Sequence, residues 1–332
     1  MKISLLAAAS LGALWFSHPA AAQQPPLPVA QVDALEGLFG KHAGARRSGA
    51  KGVCASGYFV GNTVGRTEST SAIFNGDRIP AVVRFSVGGG NPKASDKGRS
   101  VRGLAVQLKA TNGETWESAS ISAPVFFVAR PEQFAPFLQA RTPDPATGKP
   151  DPVKLKAFND ANPETLRQAA WLAKAPVPTS YGSTNYWSTN AFHLVNAKGD
   201  RKTVRWQFEP VAGTVGLTEE QLKTFSDDYL SDELRRRVGA APLVFDLKFQ
   251  VAEAGDPVLD PTQAWPDSRR LLPAGQLSIN QVEAGAGGPC DRMTYNPLIL
   301  PKGIEASADP VLQARAAPYA LSLGRRLGEA AR

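Results

Sequence analysis

Histidine is the sharpest shortage in this chain: 332 residues hold three, His18, His42 and His193. Few imidazoles means few candidates for an acid or base that works near neutral pH. Cysteine is as scarce, with Cys54 and Cys290 far apart in sequence. No CxxCH run and no Cys/His group at zinc spacing is present, so any metal must be held some other way. After Phe16 no apolar stretch is long enough to cross a bilayer. No run of basic residues exceeds Arg235-Arg236-Arg237, which sits in a mixed-charge segment and reads as a solvated face, not a nucleic-acid patch. The triple glycine Gly88-Gly89-Gly90 lacks the GxGxxG spacing of a phosphate cradle and reads as a flexible turn.

What is present begins with a leader. Lys2, the apolar Ile3 to Phe16 and the small-residue site Ala20-Ala21-Ala22 form a secretory signal over residues 1–22. Export to a bacterial periplasm is the expected destination. Cleavage removes Lys2 and no acidic residue, leaving 36 basic and 30 acidic residues, a net +6 spread along the chain. In an oxidising compartment the two cysteines can pair once, or remain two buried thiols; both readings stay open.

Residues 23–35 are rich in Pro and Gln and read as a loosely held arm. Beyond them no linker, repeat or low-complexity tract divides the chain, so residues 23–332 are expected to form one domain. Val83, Phe85 and Val87 alternate as half-buried strands do. So do Leu104, Val106 and Leu108; Val204, Trp206 and Phe208; and Phe245, Leu247, Phe249 and Val251. Helices are expected around Pro131 to Ala140, Pro152 to Ala173 and Leu222 to Val238, with a capping box at Thr218 and Gln221. A last helix starts near Ser307 or Asp309, with Pro310 in its first turn. Antiparallel strands interrupted and followed by helices give an α+β chain: a β-barrel with helical additions.

Four runs then carry a resemblance. They are Arg46-Arg47-Ser48-Gly49-Ala50-Lys51-Gly52; Arg84-Phe85-Ser86 with Val101-Arg102-Gly103-Leu104-Ala105; Ala123-Pro124-Val125-Phe126-Phe127; and Gly303-Ile304-Glu305 with Arg315 to Tyr319. In order and spacing they resemble the haem catalases, and more closely the short exported catalase-related peroxidases. Asn280 and Asn296-Pro297 also fall where that family has its LVLN and FDP runs. The likeness runs from about Gly44 to Gly328.

The resemblance implies an eight-stranded antiparallel β-barrel with flanking helices and haem b bound to it. Tyr319 matches the proximal iron ligand. Arg315, one helical turn away, would support its phenolate, since a nearby cation favours that form. Arg46 and Arg102 match arginines that hold the haem propionates. Phe127 and Phe134 would pack on the porphyrin. The partners implied are a small-molecule peroxide and an unidentified electron donor, with no nucleic acid and no stable membrane insertion.

Two positions depart from the family pattern. The distal histidine belongs at the fourth place of R-x-x-H-A-K-G, where this chain has Gly49. Full-size catalases place an Asn before the TPVFF-like run, where this chain has Ser122, whose hydroxyl offers a hydrogen bond but no pKa near neutrality. Losing a positioned acid–base group typically slows turnover by roughly 10²–10⁴-fold. The expected activity is therefore weak reduction of organic hydroperoxides with negligible catalase activity. Two alternatives stay open: a non-catalytic haem-binding or haem-sensing periplasmic protein, and a barrel carrying an apolar ligand without haem.

Overall fold

The alternating segments do become strands, and they close on themselves. The structure is a computed structural model that describes residues 25–284 and 288–330. The leader expected at residues 1–22 lies outside the described residues. β1 (Gly52–Gly61) pairs with β2 (Arg78–Val87), β2 with β3 (Arg102–Lys109), and β3 with β4 (Thr115–Ile121). β4 touches the short β5 (Tyr186–Trp187), while β6 (Phe192–Val195) runs beside the same partner as β5, the long β7 (Arg201–Pro210). β7 pairs with β8 (Leu243–Val251), β8 with β9 (Leu271–Val282), and β9 returns to β1. Every pairing is antiparallel, and the eight strands β7-β5-β4-β3-β2-β1-β9-β8 form a closed barrel. The small β10 (Ile304–Ala306) extends the sheet beyond β6.

Strand parity decides what fills the barrel. Val83, Phe85 and Val87 point inward with Leu104, Val106, Trp206, Phe208, Phe245 and Phe249, all buried. A 3-10 turn at Ala72–Phe74 drops Phe74 onto Phe59, Trp116 and Phe249, with ring centroids 5.8 to 6.0 Å apart. The interior is thus packed solid with side chains, as small barrels are. A ligand of any size must lie outside the wall.

Helices cover that outer wall. α1 (Leu27–Phe39) is the first correction to the sequence reading: part of the expected loose arm is a helix with Gln31, Val32 and Ala34 buried. Pro28 sits in its first turn, where a missing N–H does no harm, and Val32, Leu35, Leu38 and Phe39 give it an apolar stripe. α2 (Thr63–Glu68) caps one barrel end, and α3 (Phe134–Gln139) packs under α1 through Ala135 and Leu138. The helix expected over Pro152 to Ala173 is two, α4 (Pro152–Ala161) and α5 (Arg167–Lys174), because Pro163 interrupts the backbone bonding between them. The next is also split, into α6 (Glu219–Thr224), which has the expected Thr218/Gln221 capping box, and α7 (Tyr229–Ala240). α8 (Pro310–Gln313), capped by Asp309, leads into α9 (Ala316–Ala330), which carries Tyr319.

Cys54 and Cys290 are joined in a disulfide. The bridge fastens the 3-10 turn at Pro289–Arg292 to the outside of β1, and Tyr295 packs against it. Replacing both cysteines by serine is expected to lower unfolding free energy by about 2–4 kcal/mol, since the link closes a very long loop. Denaturant titration of the double variant beside the oxidised parent measures this; coincident curves would refute it.

Candidate active site

Outside β2, β3 and β4 lies a cavity of about 700 Å³. Its barrel-side wall is made of the outward positions, Arg84 and Ser86 on β2, Gly103 and Ala105 on β3, Ala119 and Ile121 on β4. These are mostly small, which leaves a shelf that a flat ligand can approach. Gly103 adds to this openness: a Cβ there would stand 2.5 Å from Ser86 Oγ, so a larger residue would need that hydroxyl to turn away. Facing the shelf are Phe127, Phe134 and Phe137, with ring centroids 5.2 and 4.7 Å from that of Phe127. α1 supplies Val32, Leu35 and Phe39, α9 supplies Tyr319 and Arg326, and Arg315 comes from the bend just before α9. Phe127 and Phe134 are therefore both in the cavity lining.

On the α9 wall, Arg315 donates to the Tyr319 hydroxyl oxygen from Nη2 at 2.6 Å and from Nε at 3.1 Å. Arg315 Nη1 donates to Asn190 Oδ1 at 2.8 Å, and Asn190 Nδ2 donates to Asp309 Oδ2 at 2.7 Å. The other Asp309 oxygen caps α8, accepting from Val311 N at 2.8 Å. Burial pushes the Asp309 carboxyl above its ordinary pKa, the Asn190 and backbone bonds opposing this. The chain Tyr319–Arg315–Asn190–Asp309 thus fixes the phenol through groups on two other segments. The i,i+4 spacing of Arg315 and Tyr319 reveals the pair. Asn190 has no such local signal.

A second polar region meets the shelf where three cations gather. Arg84 and Arg326 are 7% and 5% exposed, and Arg46 is half-buried. The Nε atoms of all three are buried without a hydrogen-bond partner. Their outer nitrogens donate to carbonyls: Arg46 Nη2 to Cys290 O and Met293 O, Arg326 Nη2 to Met293 O, and Arg84 Nη1 to Gly49 O. None of the three is ion-paired among the described residues. Burial, reinforced by the charge of Arg84, lowers the Arg46 pKa to about 10, and burial with Arg46 brings Arg326 to about 10. Burial also lowers that of Arg84, with Arg326 adding to it and Asp291 opposing. Tyr295 lines the same region with a buried hydroxyl that has no partner. Unpaired donors beside apolar walls call for an anionic ligand with more than one acceptor oxygen.

Two expected site residues fall elsewhere. Arg102 is fully buried and absent from the cavity lining. Its guanidinium donates to Ser100 O, Ser100 Oγ, Asp96 O and Gly98 O, and so knits the 96–100 loop. Ser122 is corrected for the same reason of direction. Its Oγ accepts from Arg102 N, and it too is missing from the lining. Parity explains both, since Gly103 and Ile121 face the cavity and their neighbours 102 and 122 do not. Arg84 and Arg326 take the place expected for Arg102. Arg84 stood in the quoted Arg84-Phe85-Ser86 run, and Arg326 lies seven residues past Tyr319 on the same helix, two turns along the same face.

Gly49 borders the cavity with φ +60°, and a Cβ there would meet Ser86 Oγ at 3.1 Å. His42 sits outside the lining with Nε2 3.0 Å from Phe39 O, and His193 is on β6 with Nδ1 3.0 Å from Thr203 Oγ1. Among the described residues the titratable lining consists of seven arginines and two tyrosines, with no carboxylate or imidazole.

Comparison with known proteins adds descent to this geometry. A family model described as catalase matches residues 37–332. A catalase-related peroxidase of Synechococcus elongatus is 42% identical over 295 residues, 89% of this chain and 87% of that one. Another from Mycolicibacterium paratuberculosis is 32% identical over 304 residues, covering 91% and 95%. The crystal structure of a fungal catalase superposes with a TM-score of 0.78 at 25% identity, over 87% of this chain. The chain spans 60% of that catalase's length.

The two arginine roles separate by mutation. Arg326→Met is expected to weaken retention of an anionic cofactor by about tenfold or more without lowering the stability of the unloaded protein, since the one hydrogen bond lost is offset by removal of a buried, repelled cation. Arg102→Met is expected to lower stability by about 3 kcal/mol or more, because several loop carbonyls lose their donor. Cofactor titration beside denaturant unfolding tests the pair, and equal effects on both readouts would contradict the assignment.

Proposed function

The chain belongs to the catalase family, and from that premise we propose a haem-dependent, catalase-related peroxidase that reduces organic hydroperoxides slowly and hydrogen peroxide hardly at all. The observation that carries the reading is the two-ended cavity. At one end a phenol sits in a fixed hydrogen-bond chain, at the other three buried arginines gather with no ion pair among the described residues, and apolar residues line the cavity as well. Haem b has the matching chemistry, a flat apolar ring with a metal and two carboxylates. Tyr319 would hold the iron, Arg46, Arg84 and Arg326 the propionates, and Phe127 and Phe134 would pack on the ring. When bound, haem supplies the redox chemistry for reducing a hydroperoxide to an alcohol and water.

The protein's own part is positioning. Arg315 places two donors on the Tyr319 oxygen and so fixes the orientation of the side chain that would hold the metal. What the cavity lacks is a group to move the peroxide proton. Gly49 occupies the family's distal histidine position, and neither arginine nor neutral tyrosine is a base near pH 7. Turnover is therefore expected to fall below that of a histidine-bearing relative by roughly 10²–10⁴-fold. The same bare wall favours one further reading, a haem-binding or haem-sensing protein that does not turn over.

Export to the periplasm is part of the proposal. The leader-like first 22 residues suggest it, and the Cys54–Cys290 disulfide supports an oxidising compartment. Among the described residues no helix is long and apolar enough to cross a membrane. The proposed partners are a small-molecule peroxide and an electron donor whose identity the site does not specify.

The deciding comparison is native protein against Gly49→His, both loaded with haem, in peroxide-dependent dye oxidation. The left-handed backbone at residue 49 disfavours a side chain by about 1–2 kcal/mol, but histidine is among the residues that tolerate it. The contact it makes is with a serine hydroxyl that can rotate. Turnover is expected to rise about 100-fold or more. Fast turnover by the native protein would overturn the impaired-peroxidase reading, and no gain despite full loading would move the assignment to haem binding. Tyr319→Phe is expected to alter the ferric spectrum or abolish haem retention, and an unchanged spectrum would refute its role as ligand.

A further inference from the structure

Six of the seven arginines lining the cavity have an evident task. Arg46, Arg84 and Arg326 form the buried cluster, and Arg315 holds Tyr319. Arg47 is ion-paired with Glu36 and Glu329, and Arg99 with Glu219. Arg141 remains. It follows α3, is half-buried, and has no ion pair among the described residues. Its guanidinium lies over the Phe137 ring, 3.6 Å from the centroid, and 5.7 Å from that of Phe158. Nη1 donates to Phe137 O and Nη2 to Asn159 Oδ1, each at 3.0 Å. Of five N–H donors, three have no protein acceptor among the described residues.

This is a pre-organised cation. Two hydrogen bonds and a ring face fix the fork in place, so a ligand that uses the remaining donors does not have to order a flexible side chain first. Phe137 in turn packs on Phe127, which places Arg141 one ring away from the aromatic expected to lie against the cofactor. Burial lowers its pKa with no acidic group opposing, so a carboxylate is the partner its surroundings lack.

We propose that Arg141 is the specificity-determining residue for the substrate, docking the carboxylate of an anionic organic hydroperoxide while the apolar lining takes its hydrocarbon part. The proposal rests on the peroxidase reading above and names the substrate class within it. A bidentate guanidinium–carboxylate contact at a partly desolvated site is worth about tenfold in affinity or more. A neutral hydroperoxide of equal shape gains nothing from it.

The test compares cumene hydroperoxide with its 4-carboxylate, using haem-loaded protein and an uncharged phenolic reductant. The native enzyme is expected to show a KM for the carboxylate about tenfold below that for the neutral compound, lost at high salt. Arg141→Gln is expected to raise only the carboxylate's KM, by about tenfold, with kcat unchanged for both; Arg141→Lys should restore most of the difference. Calorimetric titration with the unreactive 4-carboxycumyl alcohol is expected to follow the same order. Equal KM values in the native enzyme, or a parallel rise of both KM values in Arg141→Gln, would overturn the proposal and leave Arg141 as a cap on α3. Loaded protein that turns over neither hydroperoxide would sink the peroxidase reading instead, and the calorimetry would still decide the anion site.

Discussion

Repulsion among Arg46, Arg84 and Arg326 is the constraint around which this side of the molecule is built. Each guanidinium loses water on burial, a penalty of several kcal/mol per ion even after relaxation. Carbonyls from the 290–293 turn and from residues 49 and 50 take up the outer nitrogens, but not the three Nε groups. A carboxylate on the protein could have neutralised the cluster at less cost. Among the described residues no acidic group lines the cavity, and Asp291, which acts on all three arginines, offsets only part of the repulsion. In the proposed reading the compensating anion comes with the ligand, as the carboxylates of the cofactor.

Other features follow from the need to hold that cluster still. The Cys54–Cys290 disulfide fixes the turn whose carbonyls face Arg46 and Arg326. The ion pairs of Arg47 with Glu36 and Glu329, and of Arg325 with Asp33 and Glu36, tie α1 to α9 across the cavity rim. Individually, surface pairs of this kind contribute little. Arg47, however, is 3% exposed and binds both helices at once, which turns a weak contact into a joint. α1 is thereby kept as one side of the cavity, and not a free arm.

What the sequence made legible were local patterns. Alternating Phe, Val and Leu gave the strands, and the one-turn spacing of Arg315 and Tyr319 gave that pair. Ordered runs gave the family, and with it the barrel. What it hid were relations that only the folded wall creates. Arg84 and Arg102 both sit in quoted runs, yet one faces the cavity and the other turns into a loop, because their strand positions differ in parity. Ser122 fails for the same reason. Asn190 and Arg326 lie 125 residues before Arg315 and two helical turns past Tyr319, and neither has a neighbour that marks it. The Pro-rich start of α1 looked like a tail, although proline in a first helical turn is no obstacle to a helix.

The change at Gly49 sits on a part of the cavity that shares little with the groups that would hold a cofactor. The Tyr319 chain is anchored through Asn190 and Asp309, and two of the three arginines rest on the 290–293 turn. Only Arg84 touches residue 49, and it does so through the backbone carbonyl, which any residue would supply. A glycine there leaves the arginine cluster and the phenol with every bond they have. In the proposed reading, cofactor binding and proton transfer are therefore separable, and the groups that would bind the cofactor do not depend on a side chain at residue 49. For the same reason a histidine at position 49 would face a site already assembled, with its nearest new contact the rotatable hydroxyl of Ser86.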